Sequence, residues 1–387
     1  MKNIQLLNKI AKVGTDKLDA ALYNIGTDVT APEGIMVRSA NMLDMDWGPE
    51  LLAIARAGAG VNNIPLDKCT KEGIVVFNTP GANANGVKEL AVCALLLASR
   101  DIVAGIEWVN TLKDDADAAK TVEKNKSKFA GCELQGKTLG VIGLGAIGGL
   151  VANIAVRLGM KVVGCDPFLS VDAAWNLNHN ITHAASYEEV YKVADYITIH
   201  VPATADTKGM INQKTLALMK NGVKIINLSR DSLVKSEDMI DALASGKVSC
   251  YVTDFATPEL IGVKNAILIP HLGASTEESE DNCAVMAASQ LDEYLTTGNI
   301  KNSVNFPAVN LPRSGDVRIC VLHANIPGML NSLTGAFADE GLNIENMTNK
   351  SRGNAAYTVL DVTGTVPASV AEHLASIPGV IRVRVIE

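Results

Sequence analysis

Three side chains of types that carry acid-base and anion chemistry each follow a predicted strand. Arg230 follows the apolar run Val223 to Leu228, and Glu259 and His271 follow two later runs. Ligands collect beyond the carboxyl ends of strands in an open parallel sheet, so these positions are candidates for a site. His271 suits a general base because its ordinary pKa of about 6.5 lies near neutral pH, and a carboxylate such as Glu259 would raise that pKa and fix the tautomer. Arg230 can bind a carboxylate through two parallel hydrogen bonds.

A glycine-rich turn, Gly143-Leu144-Gly145-Ala146-Ile147-Gly148, joins the predicted strand Thr138 to Ile142 to a helix. This context is typical of a dinucleotide-binding unit. Gly143 would permit the tight turn, Gly145 the approach of the backbone to a pyrophosphate, and Gly148 the packing of helix on strand. The amides at the start of the helix would then face the phosphate charge.

Asp166 ends the next predicted strand, 18 residues after Gly148. Its carboxylate can accept hydrogen bonds from the adenine ribose hydroxyls, and it would repel a 2'-phosphate. The cofactor is therefore predicted to be NAD rather than NADP. The alternative is a purely structural turn in which Asp166 caps a strand, and the matching strand-helix-strand context disfavours it.

These two groups of residues together predict the oxidation of a 2-hydroxy acid. That reaction needs a base for the hydroxyl proton, a cation for the carboxylate and an acceptor for the hydride from C2, which nicotinamide provides. Taken singly, a histidine such as His271 is more often an ordinary loop residue, and an arginine or glutamate such as Arg230 or Glu259 is usually a surface charge. Their shared position after strands favours the catalytic interpretation.

Polar segments also end the predicted strands of the first domain, and we expect them to face the cofactor domain across a cleft. Arg38 and Asn83 would then lie opposite Arg230, and Arg56 is a further candidate. The alternative is that the two arginines are solvated strand-end charges. The segments are Arg38-Ser39, Ala57-Gly58-Ala59-Gly60-Val61 and Asn78-Thr79-Pro80-Gly81-Ala82-Asn83.

Short β-branched runs alternate with helical patterns through the first 300 residues or so. This alternation predicts an α/β fold with two doubly wound, Rossmann-like parallel-sheet domains. One long helix, Val87 to Lys120, is predicted to carry the chain from the first sheet to the second, and another, Glu277 to Leu295, to carry it back. The remaining predicted strands are Gly34 to Val37, Leu51 to Ile54, Ile74 to Phe77, Lys161 to Cys165, Tyr196 to His200, Ser249 to Thr253 and Ala266 to Ile269.

The C-terminal region is predicted to be a separate small domain after a linker that contains Pro307, Pro312 and Gly315. Its pattern is the βαββαβ order of ferredoxin-like folds. The predicted domains are 1–98 with 276–310 for substrate, 99–275 for NAD and 316–387 for regulation. The predicted C-terminal elements are Val317 to Leu322, Gly328 to Glu340, Asn343 to Asn349, Ala356 to Val362, Pro367 to Ser376 and Val380 to Ile386.

Composition excludes several classes of partner. A net charge of -8 and a pI near 5.4 argue against broad contact with nucleic acid or an acidic membrane. The seven cysteines form no CxxC pair, so we expect no metal site and a reducing compartment. Neither a signal peptide nor a membrane span is evident, and the protein is predicted to be cytoplasmic.

The chain resembles the D-isomer-specific 2-hydroxyacid dehydrogenases along nearly its whole length. The segments that carry the resemblance are Asn227-Leu228-Ser229-Arg230, Asp254 to Glu259 and Pro270-His271-Leu272-Gly273-Ala274-Ser275-Thr276. The resemblance implies that Arg230 binds substrate, His271 is the base and Glu259 supports it. The chain departs from the family pattern at Asp231, where glycine is usual, and at Pro258, because proline precedes Glu259 instead of following it.

The resemblance also implies which residues surround the cofactor and the substrate. In members that oxidise 3-phospho-D-glycerate to 3-phosphohydroxypyruvate, the first step of L-serine synthesis, arginine, serine and asparagine contact the phosphorylated acid. The implied substrate residues are Arg38, Ser39, Ala59, Gly60, Asn83 and Arg230. The implied cofactor residues are Gly143, Gly145, Ala146, Ile147, Gly148, Asp166, Val201, Pro202, Leu228, Ser229, Arg230, Asp254, His271, Gly273 and Ala274.

The segments His323-Ala324-Asn325-Ile326-Pro327-Gly328 and Gly341-Leu342-Asn343-Ile344 resemble ACT regulatory domains. In serine-sensitive members the matching residues bind L-serine between two paired ACT domains. This implies an effector site made by His323, Asn325 and Asn343. The alternative is a domain that only dimerises. A homo-oligomer, dimer or tetramer, is expected because family members pair through their nucleotide-binding domains.

Two other functions stay open at this point. One is another D-2-hydroxyacid dehydrogenase, or a reductase of hydroxypyruvate, glyoxylate or 2-oxoglutarate. The ACT-like domain and Arg38 argue against it. The other is an NAD-sensing protein like the transcriptional corepressors that share this fold, which the set Arg230, Glu259 and His271 argues against.

Overall fold

The computed structural model describes all 387 residues, in two compact units. One unit comprises Met1–Ala82 and Glu280–Glu387, and the other comprises Asn83–Ser279. No helix combines the length and apolar character needed to cross a bilayer.

Residues 1–82 form a five-stranded parallel sheet of order β2-β1-β3-β4-β5. The strands β3 and β5 are buried along their whole length, as expected for apolar strands in a parallel sheet. The strands β1 and β2 were not predicted because polar residues such as Asn3 and Asn24 interrupt their apolar pattern. The elements are β1 (Lys2–Leu6), α1 (Lys12–Thr15), β2 (Tyr23–Gly26), β3 (Gly34–Val37), β4 (Ala53–Arg56), α2 (Leu66–Lys71) and β5 (Val75–Phe77).

Residues 83–279 form a seven-stranded parallel sheet of order β12-β11-β10-β9-β6-β7-β8. Its helices pack on the strands in alternation, which confirms the predicted doubly wound fold. The elements are α3 (Ala84–Ser99), α4 (Ile102–Asn110), α5 (Ala118–Asn125), β6 (Thr138–Ile142), α6 (Ala146–Arg157), β7 (Lys161–Cys165), α7 (Val171–Trp175), β8 (Ile181–His183), α8 (Tyr187–Val193), β9 (Tyr196–Ile199), α9 (Gln213–Leu218), β10 (Val223–Asn227), α10 (Ser236–Ala244), β11 (Val248–Thr253) and β12 (Ala266–Leu268).

The single long helix predicted from Val87 to Lys120 is wrong. The chain breaks at Arg100, which is extended, and continues as the separate helices α4 and α5. The Ser99 hydroxyl donates to Leu95 O, while Ser99 O accepts the Cys132 amide instead of an amide one turn further along. Tertiary contacts that lie far apart in the sequence therefore end the helix, and helical periodicity could not reveal them.

The helix α11 (Glu277–Thr297) follows, close to its predicted bounds, and four antiparallel strands come after it. The sheet order β14-β15-β13-β16, with two helices between strands, confirms the predicted ferredoxin-like arrangement. The elements are β13 (Val317–Ala324), α12 (Met329–Asp339), β14 (Ile344–Arg352), β15 (Ala355–Val362), α13 (Ala368–Ser376) and β16 (Val380–Ile386).

The four-stranded sheet is covered on both faces. One face packs on α12 and α13 through residues such as Ile319 and Leu360. The other face, which we call the docked face, carries Leu322 and Tyr357 and shares one apolar core with Ile4 of β1. The segment 299–311, part of which was expected to be a linker, also packs into this core, and the predicted domain boundaries remain predictions.

Candidate active site

The glycine turn has the geometry that an anionic ligand requires. A Cβ on Gly148 would lie 1.9 Å from Gly143 O, and one on Gly143, whose φ is 87°, would lie 2.5 Å from His200 O. These two glycines are needed for the close packing of the turn. A Cβ on Gly145 would meet no protein atom within 4 Å. The space beside Gly145, at the start of α6, is therefore open to a pyrophosphate.

Asp166 is fixed at the end of β7 by two backbone amides. Leu144 N donates to Oδ2 and Phe168 N to Oδ1, each at 2.9 Å. Each carboxylate oxygen keeps a lone pair for a further donor. This fits the predicted contact with ribose hydroxyls, and the predicted cofactor residues Ala146 and Ile147 begin α6.

His200 lies beneath the glycine turn and was not assigned a role from the sequence. Burial lowers the pKa of His200 to about 4, so the ring is neutral at physiological pH. Its Nε2 shares a hydrogen bond of 2.9 Å with the Thr198 hydroxyl. The sequence does contain a signal for this residue, because His200 directly follows a mostly apolar strand. The predicted cofactor residues Val201 and Pro202 follow it directly at the strand end.

The end of β10 presents Arg230 to solvent. The buried Asn227 organises this turn, because its Nδ2 donates to Arg230 O at 2.8 Å and its Oδ1 accepts the Ser229 amide at 3.2 Å. The Ser229 hydroxyl donates to Ile199 O. The guanidinium of Arg230 makes a single hydrogen bond, to Ser229 O, and keeps its remaining donors available for an anion. Leu228 is buried.

A cavity of about 290 Å³ includes His271, Asp254 and Phe255 in its lining. The rings of His271 and Phe255 are 4.7 Å apart, and no side chain hydrogen-bonds the imidazole. Asp254 is 2 % exposed, and its Oδ2 accepts the Gly273 amide at 3.2 Å. Its Oδ1 is buried without a partner. Burial raises the pKa of Asp254, against the opposing charge of His271.

The structure does not bring Glu259 within hydrogen-bond distance of His271. Glu259 is exposed in a turn closed by the hydrogen bond from Leu260 N to Thr257 O. Burial of Leu260 anchors that turn and leaves the glutamate in solvent. The expectation that Glu259 neighbours the imidazole is therefore not met in this structure, and Asp254 is the carboxylate whose charge acts with His271.

The unit made of Met1–Ala82 and Glu280–Glu387 contains four of the predicted substrate residues. Arg38, at the end of β3, forms an ion pair with Glu280 of α11, and Arg56 Nε donates to Arg38 O at 3.2 Å. Asn8 holds this loop through amide bonds to its Oδ1, and sequence reasoning missed it. The other three residues, which lie in loops after β3 and β4, are Ser39, Ala59 and Gly60.

The remaining predicted substrate residues, Asn83 and Arg230, belong to the Asn83–Ser279 unit. Asn83 immediately precedes α3, and its carbonyl accepts the Val87 amide. The structure thus divides the predicted substrate residues between the two units.

The predicted effector residues do not form one cluster within a chain. His323 is 2 % exposed, with Nδ1 bonded to Ala324 O and Nε2 to the Thr358 hydroxyl. Asn325 is exposed near it and donates to Gly353 O. Asn343 lies at the opposite end of the sheet, since β14 begins opposite Val362 whereas His323 pairs with Ala356. A site containing all three therefore requires two chains.

Comparisons with known proteins agree with this geometry. Residues 92–273 match the D-isomer specific 2-hydroxyacid dehydrogenase NAD binding domain, and residues 319–382 match an AHAS small subunit-like ACT domain. A putative D-3-phosphoglycerate dehydrogenase of Schizosaccharomyces pombe is 32% identical over 371 residues, which are 88% of this chain and 76% of that protein. The D-3-phosphoglycerate dehydrogenase of Escherichia coli K12 is 33% identical over 350 residues, covering 87% and 82%.

A solved structure is similar as well. The NAD+-bound 3-phosphoglycerate dehydrogenase of Entamoeba histolytica superposes with a TM-score of 0.61 at 27% identity, covering 79% of this chain and 98% of that one. The glycine turn, the open space beside Gly145 and the fixed Asp166 fit NAD. The chain therefore belongs to the D-isomer-specific 2-hydroxyacid dehydrogenase family and is an NAD-dependent oxidoreductase.

Proposed function

We propose that this chain oxidises 3-phospho-D-glycerate to 3-phosphohydroxypyruvate with NAD, as the first step of L-serine synthesis. The observation that carries the proposal is that Arg230 and His271, both with unused hydrogen-bonding groups, lie in the same unit as the cofactor turn. The names of the relatives support this choice of substrate.

In the proposed reaction Arg230 binds the carboxylate of the acid through its unused guanidinium donors. His271 Nε2 or Nδ1 takes the proton of the C2 hydroxyl as the C–H bond at C2 breaks. NAD, held by the turn from Gly143 to Gly148 and by Asp166, would supply the acceptor for the hydride from C2, which would leave a ketone at that carbon. The proton stays on the imidazole, where the negative charge of the buried Asp254 stabilises it. Glu259 is proposed only as a more distant supporting charge.

Arg38 is proposed to bind the phosphate of the substrate. Arg38 and Arg56 end adjacent parallel strands, in which Val37 pairs with Arg56. Arg38 forms an ion pair with Glu280, and its side chain stays 42 % exposed, so the guanidinium remains accessible to an anion. An unphosphorylated acid such as D-lactate has no phosphate for Arg38 to bind. Ser39, Ala59, Gly60 and Asn83 are proposed to complete the substrate contacts.

The test follows NADH formation at 340 nm with 3-phospho-D-glycerate, D-lactate and D-2-hydroxyglutarate in parallel. We expect the highest kcat/KM for the phosphorylated acid. Turnover of an unphosphorylated acid alone would identify a different dehydrogenase of the family. NAD binding with no turnover of any acid would instead favour a cofactor-sensing protein.

We also propose that L-serine binds between two paired chains at His323, Asn325 and the partner's equivalent of Asn343, and that it inhibits the enzyme. The proposal needs at least a homodimer, because one chain separates these residues by the length of the sheet. Calorimetry of the full chain with L-serine, alongside sedimentation for the oligomeric state, tests it. Absence of both heat and inhibition would exclude this effector.

A further inference from the structure

The docked face of the four-stranded sheet binds the C-terminal end of α11. Arg384 stacks on the ring of Tyr294, with Cζ 4.5 Å from the ring centroid, and donates to Tyr294 O at 3.2 Å and Leu295 O at 3.1 Å. Arg318 donates to Thr297 O at 2.9 Å. The last four carbonyls of a helix lack partners within the helix. Arginines of the sheet therefore cap α11.

These capping side chains are themselves held firmly. Arg318 is 1 % exposed and pairs with the buried Asp361 through two hydrogen bonds, of 2.6 and 2.8 Å. The hydroxyl of the buried Tyr357 donates to Gly298 O at 2.6 Å. A Cβ on Gly298 would lie 2.4 Å from Cys320 Sγ, so the chain after α11 touches the sheet directly. The end of α11 cannot shift without disturbing the sheet.

The same helix carries the partner of Arg38 near its other end. Glu280 forms the ion pair with Arg38, and it lies 14 residues before Tyr294, or about 21 Å along a helix. Between these two residues the buried face of α11 is continuous, with Ala287 and Leu291 fully buried. A Cβ on Gly14 would lie 2.5 Å from Ala284, so the helix also packs tightly against α1.

We propose that the four-stranded sheet helps to position Arg38 for substrate, and that α11 transmits this effect. Glu280 orients the guanidinium directly, and Arg384 acts through the helix. Both are positioning residues and neither touches the substrate. The proposal deepens the proposed function and rests on it where Arg38 binds the phosphate. A ligand that moves the sheet would then alter substrate affinity more than turnover.

The experiment is a double-mutant cycle with Glu280→Ala and Arg384→Ala in the full chain. Each single variant should raise the KM for 3-phospho-D-glycerate about threefold to tenfold, with kcat and the KM for NAD near wild type. The double variant should resemble the stronger single variant, since both changes disturb one element. Glu280→Gln keeps an acceptor oxygen for Arg38 and should recover most of the affinity.

Arg382→Ala is the matched control. Arg382 lies two residues from Arg384 on the same strand, but it donates to Leu51 O and Glu72 O and makes no bond to α11. Its loss loosens the docked face without uncapping the helix, so KM should stay near wild type. Three results would each overturn the proposal. The effects of Glu280→Ala and Arg384→Ala on KM could be additive, or Arg382→Ala could raise KM as much as Arg384→Ala does. The third is an unchanged KM in a folded Arg384→Ala variant.

Amide hydrogen exchange separates this proposal from the assignment of substrate. Arg384→Ala should speed exchange from Tyr294 back to Glu280, while Arg382→Ala should not. If exchange is faster but the enzyme is inactive on 3-phospho-D-glycerate, the substrate assignment is refuted and the coupling of the sheet to Glu280 through α11 is supported. Exchange that is unchanged near Glu280 would refute the coupling whatever the substrate.

Discussion

The strand ends of the seven-stranded sheet and the docked face of the four-stranded sheet both carry arginine and aspartate, but they pair them differently. At the strand ends Arg230 makes one hydrogen bond, and Asp254 buries an oxygen without a partner. On the docked face Arg318 and Asp361 satisfy each other through two hydrogen bonds. Side chains with unused hydrogen-bond donors or acceptors are therefore available to a ligand. Side chains that satisfy each other's hydrogen bonds stabilise the fold.

The largest effect should come from His271→Gln, which tests the chemical side of this comparison. The change removes the proposed base, so kcat should fall about 10² to 10⁴-fold. NAD affinity, measured by fluorescence titration, should change little, and so should the unfolding midpoint. A fall of less than tenfold in kcat would show that another group takes the proton.

Arg318→Met tests the structural side of the comparison. It leaves Asp361 buried without its cation, so the free energy of unfolding should fall by about 3 to 5 kcal/mol in urea titrations. The matched double variant Arg318→Met with Asp361→Leu removes both charges and should regain most of that loss. Equal destabilisation by the single and double variants would mean that the ion pair is not the cause.

Arg230→Lys tests whether the guanidinium of Arg230 binds the substrate carboxylate through two parallel hydrogen bonds. Lysine keeps the charge and loses the paired geometry, so the KM for the acid should rise about tenfold to a hundredfold. The unfolding midpoint should stay within error, because Arg230 supports no other element through its side chain. Wild-type kinetics in this variant would remove Arg230 from the substrate site.

Gly145→Ala and Gly148→Ala separate the two uses of glycine in one turn. The first places a methyl group in space that no protein atom fills, so stability should hold while NAD affinity drops about tenfold. The second drives a Cβ into Gly143 O and should lower stability as well. Loss of stability in both variants would contradict the conclusion that the space beside Gly145 is open.

The smallest effect should be seen in the pH dependence of stability. Burial alone would raise the pKa of Asp361, but the hydrogen bonds from Arg318 and from the Ser314 amide outweigh it and lower that pKa. The resulting stabilisation is present above the ordinary aspartate pKa of about 3.9 and is lost as the pH falls through the folded value. Wild type should therefore lose more stability in acid than the variant lacking both charges, as followed by urea unfolding.

Much of the fold could be read from the sequence because apolar periodicity is a local signal. The glycine turn, Asp166 and the βαββαβ order are all local patterns, and the fold and the NAD cofactor that they predicted are confirmed. The domain boundaries and the roles of the individual site residues remain predictions.

The errors arose where distant contacts decide the structure. The helix ends at Ser99 because Cys132 bonds to it, and Glu259 is turned into solvent because Leu260 is buried. The docked face carries Arg318 and Arg384, a residue type that is usually solvent-exposed. No pattern in one strand shows that another element covers it.

The most direct test of the account is the fate of a deuterium atom at C2. We expect 3-phospho-D-glycerate labelled with deuterium at C2 to yield reduced cofactor carrying one deuterium per ketone formed, as mass spectrometry would show. Unlabelled NADH, or no reduced cofactor with this acid while another 2-hydroxy acid is oxidised, would contradict it.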